Sequence, residues 1–172
     1  MSYDKVRIKA MVRPPGVALA RLIKDMPTAV LTTVSADGSL LGRPMLLLEV
    51  DAECLWFLTN ASSQKARDVT AERRVNVLFV SADQTRYVSI AGDASIARDA
   101  ARIDRLWNPT YRAWFPLGRR DPDLTLLSVS ARRVRYWMVP SSRLVRVLGA
   151  IKALLTGRRY EAGTNGELAL PY

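Results

Sequence analysis

The strongest constraint on this chain is a succession of short apolar segments, each bounded by turn-forming residues. TAVLTTVS (28–35) is rich in β-branched residues, whose crowded Cβ favours extended backbone. Ala36-Asp37-Gly38-Ser39 is a turn signal, and LLGRPMLLLEV (40–50) forms the returning strand. Pro44 has no N–H to donate, so that strand must present an edge or a bulge there. Asp51-Ala52-Glu53 turns the chain into CLWFLT (54–59). VNVLFVS (75–81) and RYVSIAGDASIA (86–97) follow, with Gly92 marking a bulge. LTLLSVSARRVRYWMV (124–139) is a sixth strand or a bent pair. Six strands joined by turns predict a mainly β (α+β) fold, a small antiparallel barrel decorated by short helices.

The helical pattern is confined to the flanks. Leu19, Leu22, Ile23 and Met26 recur at helical spacing between Pro15 and Pro27, which predicts a helix over 16–26. ASSQKARDVTAER (61–73) is polar and opens on two serines suited to capping. Residues 99–107 bring Ile103, Leu106 and Trp107 to one side of a third helix. WNPTYRAWFPLGRRDPD (107–123) reads as a structured loop. Leu144, Val147, Leu148, Ile151, Leu154 and Leu155 mark a basic amphipathic helix, followed by a polar tail. Its stripe lacks bulky aromatic anchors, so packing on the barrel or across a dimer is favoured over a membrane surface. With 172 residues, 49% of them apolar, the chain is read as a single domain with a core over about 16–140 and this helix and tail over 141–172.

Composition removes whole classes of chemistry. There is no histidine, which excludes a Ser-His-Asp triad, His-ligated zinc and any imidazole acid or base. The one cysteine, Cys54, excludes an intrachain disulfide and a Cys-rich metal site; it is read as a buried small hydrophobe. The basic start lacks the apolar core of a secretory signal, and no apolar run is long enough to span a bilayer. A cytoplasmic location is expected. The formal net charge of +10 suits a phosphate-bearing or polyanionic partner.

Arg43 to Lys65 is the most informative stretch. A strand ending in Thr59-Asn60 feeds a helix start carrying Ser62, Ser63 and Lys65, and Arg43 lies on a neighbouring strand. A helix N-terminus offers unpaired N–H groups and partial positive charge, so these residues could cradle a phosphate monoester. The plainer alternative is that Ser62 or Ser63 only caps the helix and Lys65 is solvated. Trp107, Tyr111, Trp114 and Phe115, then Tyr136-Trp137, could stack on a flat heteroaromatic ligand or simply pack in a core or interface. Strand alternation puts Arg133 and Arg135 on the face of Trp137, and Arg132 with Val134 and Tyr136 on the other. Asp121 and Asp123, around Pro122, are read as turn residues rather than a carboxylate dyad. The basic residues form no dense stripe and no nucleic-acid motif, which disfavours nucleic acid as a partner.

TAVLTTVSADGSLLGRPM, LWFLTNASSQKARDV, VNVLFV, YVSIAGDA, LWNPTYRAWFPLGRRDPDLTLLSV and YWMVP, in that order, resemble the bacterial general stress proteins of the pyridoxamine 5′-phosphate oxidase-like flavin-binding split barrels. The resemblance covers roughly residues 16–140. It implies a six-stranded antiparallel split β-barrel and a homodimer with FMN, or alternatively FAD, at the subunit interface. It further implies that Arg43, Pro44, Met45 and Leu46 of the RPMLLL strand and Ser63, Gln64 and Lys65 line the cofactor site, with the arginine and the Ser-Gln-Lys stretch on its phosphate. Leu58 and Thr59 match the pair that contacts the flavin, Tyr87 falls near the group's strand glutamine, and Trp137 resembles its C-terminal tryptophan.

Departures from the oxidase pattern narrow the function. Leu48 stands where the oxidases have lysine, Gln64 where they have arginine, and the arginine-histidine signature that grips substrate phosphate cannot exist in a chain without histidine. The expectation is therefore an FMN-binding flavoprotein, an oxidoreductase of unassigned substrate, without pyridoxamine phosphate oxidase activity and without a metal. The alternatives are a true oxidase or deazaflavin-dependent reductase of the same fold, and a non-catalytic binder of flavin, tetrapyrrole or acidic polymer.

Overall fold

A computed structural model describes residues 15–139, 164–168 and 170. Its strands are β1 (Thr28–Val34), β2 (Leu40–Asp51), β3 (Cys54–Asn60), β4 (Arg74–Val80), β5 (Arg86–Ala97), β6 (Leu124–Met138) and β7 (Thr164–Leu168). All pairings are antiparallel in the order β3-β2-β1-β4-β5-β6-β7, and β3 also pairs with β6, closing a six-stranded barrel. Flanking helices are α1 (Pro15–Leu22), α2 (Gln64–Ala71) and α3 (Ala100–Leu106). The mainly β expectation is met.

Strand alternation builds the core. Along β1, β3 and β4 every second residue is buried: Ala29, Leu31 and Thr33; Leu55, Phe57 and Thr59; Val75, Val77 and Phe79. Phe57 and Phe79 are the largest fully buried side chains, packed with Leu31, Ile90, Leu127 and Val129. Leu19, Ile23 and Met26 close one side of this core, although α1 itself stops at Leu22 and a turn with Asp25 at φ 65° carries the chain to Met26. A second cluster lies on the other surface of β3 and β6. There Ile103 of α3 and Phe115 cover Leu124 and Leu126, with Leu48, Trp56 and Leu58 packed against them. The expected loop thus acts as a cover, with 3-10 turns at Pro109–Ala113 and Gly118–Arg120.

Two backbone expectations hold for concrete reasons. Pro44 lies in the half of β2 that pairs with β1 alone, because β3 engages β2 only from Leu47 onward, so no ladder bond is missing on that side. At Gly92 the β5–β6 register shifts, and a Cβ there would stand 2.3 Å from the Ser130 carbonyl oxygen. This bulge also corrects a face assignment. Gly92 pairs with Ala131 and Ala91 with Arg133, so Arg132 is the extra residue; it turns outward to Asp93 instead of sharing the buried face of Val134 and Tyr136.

The seventh strand corrects the reading of the C-terminal stretch as a polar tail. β3 covers β6 only over Leu124–Ser130, and TNGEL covers the open edge of Val134–Met138. Gly166 sits against Tyr136, where a Cβ would meet Tyr136 Oη at 2.4 Å. The amphipathic helix expected over 143–159 lies outside the described residues. No described helix is long and apolar enough to cross a membrane.

Candidate functional site

Arg43 and Thr33 point inward from β2 and β1 toward one mouth of the barrel, where α2 lies across them. Arg43 donates from Nη1 to Thr33 Oγ1 at 2.8 Å and from Nη2 to Asp68 Oδ2 at 3.3 Å, and Thr33 Oγ1 donates to Asp68 Oδ2 at 2.8 Å. Thr33 is fully buried and Asp68 nearly so. The three side chains therefore form a closed ring of mutual hydrogen bonds in which the arginine still has N–H groups to spare.

Lys65 stands one turn before Asp68 on α2, half-buried. Burial, and after it the positive charge of Arg43, hold its ammonium below the usual lysine range. Among the described residues it has no hydrogen bond or ion pair. Two cations thus converge at the mouth, and among the described residues only one is neutralised. Ser63 is the α2 N-cap: its Oγ accepts from Ala66 N at 3.4 Å and donates to the Asn60 carbonyl at 2.6 Å. The capping role held open by the sequence is realised, and Thr59 Oγ1 lies 3.4 Å from the same hydroxyl. Gln64 is exposed, and among the described residues its side chain reaches only Ser35 Oγ, at 3.5 Å.

The approach to α2 is latched from a distance. Asp123 accepts from Ser62 N and Ser62 Oγ, both at 2.7 Å, and from Asn60 Nδ2 at 3.0 Å, while its carbonyl accepts from Ala61 N. Hydrogen bonds from Ser62 hold the Asp123 carboxyl below the ordinary carboxylate range. Asp123 is thus more than the turn residue its Asp-Pro-Asp context suggests. Its target is 61 positions away in sequence, and local spacing carries no signal of it. Thr33 and Asp68 were missed for the same reason, although an acid three residues after Lys65 on a helix was a hint that both face one way.

The remaining candidates divide among three environments. Met45 is buried in the barrel core, while Pro44 and Leu46 are exposed on the outer face. Leu58 and Leu48 pack into the second cluster beneath α3. Tyr87 and Trp137 lie directly opposite one another on β5 and β6. They face outward, whereas the cross-strand row from Arg43 runs inward through Leu31, Val77, Ile90 and Val134. Within one chain the structure therefore brings Arg43, Thr59, Ser63 and Lys65 to one end of the barrel, and puts Tyr87 and Trp137 on the opposite side of the sheet. Val30, Leu46, Val80 and Trp137, each about two-fifths exposed (39–43%), share that apolar outer face.

Of the aromatic loop, Phe115 is buried and Trp107 meets Tyr111 edge-to-face at 5.8 Å, so packing accounts for them; Trp114 remains 65% exposed. Arg102 lies 3.9 Å above the Trp56 ring and is paired with Glu49 and Asp51, which ties α3 to the sheet. Cys54 is half-buried, and burial pushes its thiol up. Among the described residues no cluster of three or more His, Cys, Asp or Glu could hold a metal ion.

Comparison with known proteins supplies context for this geometry. Residues 17–161 match the profile of the family described as Pyridoxamine 5'-phosphate oxidase like. The chain is similar to protein bli-3 of Neurospora crassa, 26% identical over 137 residues, covering 74% of this chain and 66% of that protein. It is 37% identical over 103 residues to the pyridoxine/pyridoxamine 5'-phosphate oxidase of Burkholderia multivorans, covering 60% of this chain and 45% of the oxidase. The chain spans less than two thirds of the length of the curated relatives it matches. Among solved structures, the general stress FMN/FAD binding protein of Xanthomonas citri superposes with a TM-score of 0.63 at 30% identity, covering 73% of this chain and 89% of that one.

Proposed function

Because the chain belongs to the pyridoxamine 5'-phosphate oxidase-like family, we propose that it binds a flavin, FMN in preference to FAD, through the flavin's phosphate at Arg43 and Lys65. The observation that carries this reading is Lys65, a half-buried cation beside a second cation with no described counter-ion of its own. Such a group is costly to keep unless an anion completes it. The donor set fits a phosphate ester: the ammonium, the free N–H groups of Arg43, and the first amides of α2, whose N-terminus favours negative charge. The Xanthomonas citri neighbour, named for FMN/FAD binding, supports the same class of ligand.

Tyr87 and Trp137 belong to this reading through a second copy of the chain. They sit on the apolar outer face, across the sheet from the mouth. In a homodimer that face would be covered, and the aromatic pair of one protomer would meet a flavin held by the other. A bound flavin would supply the electron-transfer chemistry. The chain's own residues hold and orient it: Arg43 and Lys65 the phosphate, Thr59 and Ser63 the turn into α2, Asp123 that turn from below.

We read the protein as a cytoplasmic flavoprotein of the general stress type, an oxidoreductase whose substrate is unassigned. Pyridoxamine phosphate oxidation is not part of the reading. Leu48, in place of the oxidase lysine, is a packing residue under α3, and no histidine exists to grip a substrate phosphate. Calorimetry with FMN and riboflavin tests the proposal. Lys65→Ala should weaken FMN by about tenfold to a hundredfold, the range for a lost charge-assisted hydrogen bond, and leave riboflavin nearly unchanged. Equal losses for both ligands would sink the phosphate assignment. Light scattering on Val80→Asp should show a monomer; an unchanged mass would remove the outer face from the interface.

A further inference from the structure

An anion site has little use for a buried carboxylate, yet Asp68 stands beside Arg43 at the mouth of the barrel, nearly inaccessible to solvent. Its Oδ2 takes a hydrogen bond from the Thr33 hydroxyl and pairs with Arg43 Nη2. The Thr33 oxygen in turn receives Arg43 Nη1. Both terminal nitrogens of the guanidinium are thereby engaged from one side, and the planar fork is held in one orientation before any ligand arrives. The charge count has the same origin: among the described residues Arg43 and Lys65 are two cations, Asp68 is one anion, and a single positive charge is left.

We infer that Asp68 is a positioning residue of the phosphate site, which with Thr33 orients Arg43 and reduces the site's charge so that the phosphate is held reversibly. The inference rests on the phosphate reading above. It explains why an acid is kept three residues from Lys65 on the same helix. It also separates two roles: Thr33 and Asp68 determine where the guanidinium points, and of these two only Asp68 also tempers the attraction that Arg43 and Lys65 exert on a dianion. A carboxylate a few ångströms from a bound phosphate opposes it appreciably in a partly buried site, where water screens weakly.

The ratio of riboflavin to FMN dissociation constants reads this directly, because a purely structural role for Asp68 would move both ligands together. Asp68→Asn keeps an acceptor for Arg43 and Thr33 but removes the charge; FMN should tighten about tenfold while riboflavin stays within about twofold. Thr33→Val keeps the shape and removes the hydroxyl that holds Arg43; FMN should weaken by about threefold to tenfold, again without riboflavin. Equal shifts of both ligands, or an unchanged ratio in Asp68→Asn, overturn the positioning role. If Asp68→Asn does not fold, Thr33→Val alone decides, and an unchanged ratio there overturns it. A wild-type protein that binds FMN and riboflavin equally would refute the phosphate reading and this inference together. Wild-type discrimination without any response in these variants would refute only the inference.

Discussion

The two halves of β6 are one continuous strand and behave as different materials. From Leu126 to Val129 the strand is held between β3 and β5, Leu124 and Thr125 pair with β3, and the whole stretch is buried on both faces apart from Ser128. From Val134 to Met138 it is held between β5 and β7, with Val134 and Tyr136 buried inward and Arg135 and Trp137 exposed, as is Arg133 just before them. The first half seals the barrel beneath α3 and the aromatic cover; the second presents an outer surface. The bulge at Gly92 and Arg132 marks the change between them. A strand's residue pattern thus reports what lies on each of its faces, and β6 changes pattern where its neighbours change.

Substitutions should separate the halves by size of effect. Leu127→Ala, in the sealed half, should cost about 2–5 kcal/mol and lower the melting temperature by several degrees or more, because neighbours on both faces leave little room to collapse. Loss below about 1 kcal/mol would mean that this half is not sealed. Gly166→Ala drives a methyl into the Tyr136 ring and should cost about 1–3 kcal/mol, read as faster amide exchange confined to Val134–Met138. Exchange rising equally in Leu124–Val129 would show the halves to be one cooperative unit.

The root of the sealed half carries the Asp123 latch, and its pH response has a definite sign. The folded carboxyl is held below its unfolded value, so its stabilisation is fully present above about pH 3.9 and is lost as pH falls through the lower folded value. Asp123→Asn should flatten that acid limb and loosen the Asn60–Ser62 turn; an acid limb identical to wild type would exclude the latch. The smallest effect belongs to the open half. Glu167 pairs with Arg133 at 3.3 Å and Arg135 at 3.8 Å, all well exposed, so Glu167→Gln should change stability by less than about 1 kcal/mol in a thermal melt.

The same contrast explains how much was legible in the sequence. Elements whose causes are local were readable: alternation in β1, β3 and β4, the Ser63 cap, the edge position of Pro44, the bulge at Gly92. The phosphate candidates Arg43 and Lys65 were legible as residue types at a strand and a helix start. The counter-ion of Arg43 was not, because Thr33, Arg43 and Asp68 meet through β1–β2 pairing and the docking of α2, neither of which leaves a local trace. β7 was missed because TNGEL has no apolar run of its own; the open edge of Val134–Met138 makes it a strand. Arg132 was assigned to the wrong face because strict alternation does not survive a bulge.

Closure of the barrel has a kinetic consequence. The ladder that completes the ring pairs Cys54 with Ser130 and Asn60 with Leu124, so everything from α2 to the aromatic cover is a loop that must be drawn together before this pairing gains anything. The β1–β2 and β4–β5 hairpins can form early from neighbouring residues, whereas the β3–β6 seam is assembled late, against the entropy of the intervening chain. Until it closes, β3 and the first half of β6 expose two apolar edges that nothing covers, and the same pair of edges is available to a neighbouring chain. Refolding yield should therefore fall as protein concentration rises, and the seam that makes the finished barrel rigid is the part of it most exposed to misassembly.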